Sequence, residues 1–158
     1  ELPYLSREVN EYLFSQTQHH YPHSMLNLSD RQLNDAANIY LQNINVHAEG
    51  KINVIDKLPA NFQSIGLIYK LFPNAKVIHL QRYLPDVALS IYKNYFMENE
   101  PYFCSLKEFK QYNQHYIELM AHWRKVLPYF IYDLTYEQLI DNKEATLKAL
   151  LDFCDIEW

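Results

Sequence analysis

Three short runs rich in β-branched and aromatic residues, set apart by long amphipathic stretches, limit this chain to few architectures. The runs are residues 52–56 (INVID), 76–81 (KVIHLQ) and 129–134 (YFIYDL). Helical patterns lie between them, and strands joined in that way pair parallel, because a parallel return needs a crossover that a helix supplies. The expected fold is α/β, a parallel sheet flanked by helices. In such sheets ligands gather at the carboxyl ends of the strands. The residues that follow the runs are therefore the first candidates for a site: Lys57, Arg82 and the pair Thr135-Tyr136.

The helices carry their own punctuation. Leu5, Val9, Tyr12 and Leu13 mark one face of a helix over 6–15. Ser29 with Gln32 forms a capping box for a second helix, which Glu49-Gly50 ends. Asn61 is placed to cap a third, with Phe62, Ile65, Tyr69 and Phe72 on one side. Pro85 suits the first turn of a fourth, since its missing N–H would have had no partner there. Ser105 with Glu108 opens a long helix whose Phe109, Tyr112, Tyr116, Leu119, Trp123 and Val126 share an apolar stripe. Thr135 with Gln138 and Asp141 with Glu144 predict caps for two last helices, the final one turning Leu147, Leu150, Leu151 and Cys154 inward.

Composition narrows the function classes. The 158 residues are 49% hydrophobic, enough for one core, and a single domain is expected, helical over 1–50 with the strands in 51–158. Fourteen Lys and Arg against 19 Asp and Glu leave a formal charge of −5, which argues against a general nucleic-acid binder that relies on counterion release. An anionic ligand would need a local cluster of cations. Cys104 and Cys154 fit no metal or redox spacing and read as reduced thiols of a cytoplasmic protein. No apolar run reaches a membrane span, and the first residues do not read as a signal peptide. His19, His20 and His23 read as a solvated loop, and His115 and His122 as structural residues of one helix face; no metal site is expected.

Arg82 ends its run beside a helix start, where a guanidinium and backbone amides together favour a phosphate. A surface pair with Asp86 is the plainer alternative. Ser90, eight residues on, can donate to the same anion or bond its own helix. Lys57, a compact charge at another strand end, can neutralise a leaving phosphate or stand on the surface.

The stretch VIDKLPANFQSIGLIYKLFPNAKVIHLQRYLPDVALSIY resembles the central part of sulfotransferases, closest to the bacterial tetratricopeptide-linked and tyrosylprotein type. The resemblance continues through ELMAHWRKVLP and YEQLIDNKEATLKALLDFC. It implies a P-loop-like sulfotransferase fold, a nucleotide co-substrate, 3′-phosphoadenosine 5′-phosphosulfate (PAPS), and an acceptor hydroxyl on a peptide or small molecule. It further implies that Arg82 and Ser90 contact the 3′-phosphate, that Tyr136 lies near the adenine, and that Lys57 reaches the sulfate and the bridging oxygen. Glu1, in ELPYL, resembles the glutamate that serves as general base toward the acceptor. Neither a metal nor a nucleic acid nor a membrane is implied.

Two departures from the family pattern stand out. Leu84 occupies the place where the family usually has proline, with Pro85 one residue later. The glycine-rich loop that wraps the 5′-phosphosulfate would precede Glu1, and the chain holds only two glycines. An internal portion of a sulfotransferase domain, truncated at both ends and inactive by itself, is expected. A non-catalytic binding or scaffolding module that keeps the same fold is the alternative. A kinase is disfavoured, because no magnesium-binding aspartate pattern accompanies Lys57 and Arg82.

Overall fold

A computed structural model describes residues 2–94, 101–103 and 105–158. The chain divides into two compact units, Glu1–Ala75 and Lys76–Trp158.

The first unit is helical. A π-helical turn over Leu5–Val9 runs into α1, Asn10–Thr17, so that Leu5, Val9 and Leu13 fall four apart on one stripe. That stripe packs with Ala36 of α2 (Asp30–Ala48) and with Leu67 and Leu71 of α3 (Ile65–Leu71). The expected Ser29–Gln32 capping box opens α2, its two halves both formed. Glu49 and Gly50 end it in the left-handed region, at φ 48° and 76°. Such a conformation suits glycine and is unfavourable for the glutamate beside it.

Two expectations fail in this unit. Residues 52–56 do not form a strand: they adopt no regular structure, and Ile52 and Ile55 are 98% and 87% exposed. β-Branched residues favour a strand only where a neighbouring strand and a packed face receive them, and among the described residues this run has neither. Asn61 does not cap α3, because the chain enters that helix through a 3₁₀ turn over Pro59–Ser64.

The second unit holds the sheet. β1 (Val77–Gln81) and β2 (Ile131–Thr135) pair parallel, Val77 opposite Ile131 and Gln81 opposite Thr135. The crossover between them carries α4 (Leu84–Lys93) and α5 (Leu106–Val126). Pro85 lies in the first turn of α4, as its fixed φ favours. Ser105 caps α5 by accepting the Glu108 N–H at 3.3 Å, one half of the expected box. The α5 stripe is only partly covered: Met120 is 1% exposed, the aromatic residues are half-buried, and Val126 is exposed against expectation.

β2 begins later than the run at 129–134 suggests. Tyr129 has φ 70°, a left-handed conformation that no strand accommodates, and it stands 96% exposed. Phe130 and Leu134 are buried. A complete capping box, Thr135 with Gln138, turns the chain directly into α6, Tyr136–Asp141. α7 (Lys143–Phe153) starts from Asn142 without a side-chain cap, so the expected Asp141–Glu144 box is not formed. Leu147, Leu150, Leu151 and Cys154 are half-buried, and Phe153 packs on Tyr132 with ring centroids 5.0 Å apart. The parallel sheet with flanking helices is thus the expected α/β arrangement, with two strands where three were expected among the described residues.

Leu13 is fully buried at the centre of the first core. Leu13→Ala is expected to destabilise the protein by about 2–5 kcal/mol through lost burial and an unfilled cavity. Denaturant midpoints of the two proteins check this.

Candidate functional site

The carboxyl ends of β1 and β2 lie side by side, and the chain leaves each into a helix. Arg82 follows β1 and Tyr136 follows β2. The guanidinium of Arg82 lies over the Tyr136 ring, 5.1 Å from its centroid, a cation–π contact. Its NH2 also donates to Asp86 Oδ2 at 3.1 Å, one turn into α4. Both partners of that ion pair are about half exposed. A pair so placed contributes only about 0–1 kcal/mol, so an incoming anion can displace the aspartate at little cost.

Arg82 is bracketed by two contacts to the neighbouring strand and helix. On one side the Gln81 Nε2 donates to Asp133 Oδ1 at 3.3 Å. On the other the backbone N–H of Tyr83 donates to Glu137 Oε1 at 3.1 Å. Glu137 itself sits in the first turn of α6, where a carboxylate is favoured by the helix dipole.

Earlier on the same two strands, a polar cluster ties the sheet to α5. His79 and Asp133 are register partners. His79 Nδ1 lies 2.6 Å from Asp133 Oδ1, and its Nε2 is hydrogen-bonded to the Tyr116 hydroxyl of α5. Arg124, two turns further along α5, holds Asp133 with both arms of its fork, Nε to Oδ2 at 2.8 Å and NH2 to Oδ1 at 2.6 Å. The carboxylate therefore collects donors from β1 and α5 together. These bonds, the guanidinium of Arg124 first and His79 after it, outweigh partial burial and lower the Asp133 pKa to about 2. Burial pushes the Tyr116 hydroxyl above its ordinary value, so it stays protonated and serves as donor or acceptor.

Ser90 is exposed on α4, where its backbone carbonyl and hydroxyl accept from Asn94 Nδ2 at 2.7 and 3.4 Å. Lys57 is exposed in the irregular segment of the first unit, next to Asp56, whose Oδ2 accepts the Tyr40 hydroxyl at 2.8 Å. Glu1 lies outside the described residues. Among the described residues no three His, Cys, Asp or Glu side chains gather as metal ligands do, and no helix is long and apolar enough to cross a membrane.

His79, Asp133, Arg124 and Glu137 were not singled out from the sequence, and Tyr116 was read only as core. One signal was available: a histidine in the middle of an apolar strand, facing inward with Val77 and Gln81 by the strand's alternation. Its partner could not be named without the register.

With this geometry in place, comparison with known proteins places the chain. A model of the sulfotransferase family matches residues 4–158. The chain belongs to the sulfotransferase family. A protein of Aquifex aeolicus (strain VF5), named only as uncharacterized, is 34% identical over 167 residues. The match covers 100% of this sulfotransferase-family chain and 22% of the relative, so the chain spans about a fifth of that protein's length.

The Asp133 bonds make stability depend on pH in a defined direction. A carboxyl whose pKa falls from the usual value near 4 to about 2 on folding contributes stability above pH ~4 and loses it as pH falls toward 2. The protein is expected to lose stability across that window more steeply than an Asp133→Asn variant. Denaturant midpoints of both, measured from pH 5 to about 2, check the sign.

Proposed function

We propose that this chain forms the donor-nucleotide side of a PAPS-dependent sulfotransferase that passes a sulfuryl group to an acceptor hydroxyl, in the manner of the tetratricopeptide-linked and tyrosylprotein type. The observation that carries the reading is the stacking of Arg82 on Tyr136, at the adjoining carboxyl ends of two parallel strands. The family resemblance assigns those two positions to neighbouring parts of one nucleotide, the 3′-phosphate and the adenine. In this reading Arg82 grips the 3′-phosphate with Ser90, and Tyr136 lies beside the base.

The reaction needs few groups. The acceptor oxygen forms a bond to sulfur while the bond from sulfur to the bridging phosphate oxygen breaks, and adenosine 3′,5′-bisphosphate leaves. A base takes the hydroxyl proton, the role that falls to Glu1, and a cation offsets the charge on the bridging oxygen, the role that falls to Lys57. A cytoplasmic setting belongs to the same reading; Cys154 is a free thiol, and Cys104 lies outside the described residues.

Calorimetric titration with adenosine 3′,5′-bisphosphate tests the nucleotide site. Arg82→Ala removes a charged hydrogen-bond donor from a phosphate and is expected to weaken binding by about 10- to 150-fold. A folded variant with unchanged affinity would sink the assignment. Asp86→Asn removes the carboxylate that competes for the same guanidinium and is expected to tighten binding by about two- to fivefold in the same titration. Transfer of labelled sulfate from PAPS to tyrosine peptides or phenols, by a protein that joins this chain to a phosphosulfate loop, then separates an enzyme from a binding module.

A further inference from the structure

Arg82 leaves the sheet at one point of a wider hydrogen-bonded frame, and that frame has a consistent layout. Three residues before Arg82 on β1 stands His79, and three residues before Tyr136 on β2 stands Asp133. The two are register partners, and α5 fastens both at once, through Tyr116 on His79 and Arg124 on Asp133. Asp133 reaches forward as well, accepting from Gln81, the residue before Arg82. Glu137 takes the N–H of Tyr83, the residue after it. Carboxylates from β2 and α6 therefore hold both chain neighbours of Arg82, and neither carboxylate touches the guanidinium in the bonds described.

We propose that Asp133 and Glu137 are positioning residues for the 3′-phosphate site: by holding Gln81 and Tyr83 they fix where Arg82 and the start of α4 stand relative to Tyr136. This inference rests on the nucleotide reading given above. The physical reason is geometric. A phosphate held by a guanidinium fork needs donors aimed within a few tenths of an ångström, and a side chain holds such aim only when its own supports are locked. Arg82 is half exposed and its pair with Asp86 is weak, so its backbone must supply the order that its side chain lacks. The network behind it does this through the Gln81 and Tyr83 contacts, at 3.3 and 3.1 Å, with Asp133 itself anchored by the shorter bonds of Arg124 and His79.

The test compares two ligands in Asp133→Asn and Glu137→Ala. Adenosine 3′,5′-bisphosphate carries the phosphate that Arg82 is assigned to hold, and adenosine 5′-monophosphate lacks it. Asp133→Asn is expected to weaken the bisphosphate by about tenfold, in the middle of the range for residues coupled through one network, and the monophosphate by less than about twofold. Glu137→Ala alters an exposed residue that leaves the core untouched, and is expected to lower bisphosphate affinity by at least about threefold with the same selectivity. In an Arg82→Ala background both effects should vanish, because the positioned group is gone.

A purely structural role would lower both ligands alike, in proportion to the folded fraction seen by circular dichroism. That outcome, or unchanged bisphosphate binding in both variants, overturns the proposal while leaving the nucleotide site standing. Failure of the unsubstituted protein to bind the bisphosphate at all overturns the nucleotide reading and this inference with it.

Discussion

The pairing of His79 with Asp133 across two parallel strands is the constraint from which the second unit takes its shape. A parallel pair of five-residue strands is a small sheet, and backbone bonds alone fix its register weakly. A one-residue slip would turn His79 and Asp133 to opposite faces and leave Arg124 with no carboxylate to hold. The cost of such a slip is large because each group is already committed: the carboxylate to four donors, the imidazole to a carboxylate on one nitrogen and a hydroxyl on the other. The polar cluster thus fixes the same register in which Leu134 is buried.

That register has a consequence for the family fold. Strand ends in register deliver Arg82 and Tyr136 to the same height, and the helices that follow begin at once, α4 after Tyr83 and α6 after Thr135. Proline in the first turn of α4 and a complete capping box at α6 leave the chain no freedom to wander between strand and helix. The shift of proline by one place relative to the usual family pattern is accommodated here, since Pro85 still falls where a missing N–H costs nothing.

What could be read from the sequence follows from how local each signal is. Ser29–Gln32 and Thr135–Gln138 were legible because a capping box is complete within four residues. Pro85 and Glu49-Gly50 were legible for the same reason. The segment at 52–56 misled, because β-branched composition reports a tendency that only a partner strand can realise. The start of β2 was missed by two residues, since nothing in the identity of Tyr129 announces a left-handed backbone. At the site, Arg82 and Tyr136 were picked out separately, by strand ends and by resemblance, but their contact spans 54 residues of chain. The Tyr116–His79–Asp133–Arg124 cluster was out of reach for a similar reason: it exists only once strand register and the pitch of α5 are both known.

The Arg82–Asp86 ion pair also bears on how the site responds to ionic strength. An anion arriving there exchanges one carboxylate for another negative group, so added salt weakens the resident bond and the incoming one together. The chain as a whole carries a formal charge of −5, and its long-range repulsion of anions is screened by the same salt. The opposing effects offset one another, in contrast to a strongly basic surface, where salt only subtracts. At the proposed nucleotide site, salt would therefore weaken the hold on phosphate less than at a site built on net positive charge, because geometry and not net charge would supply it.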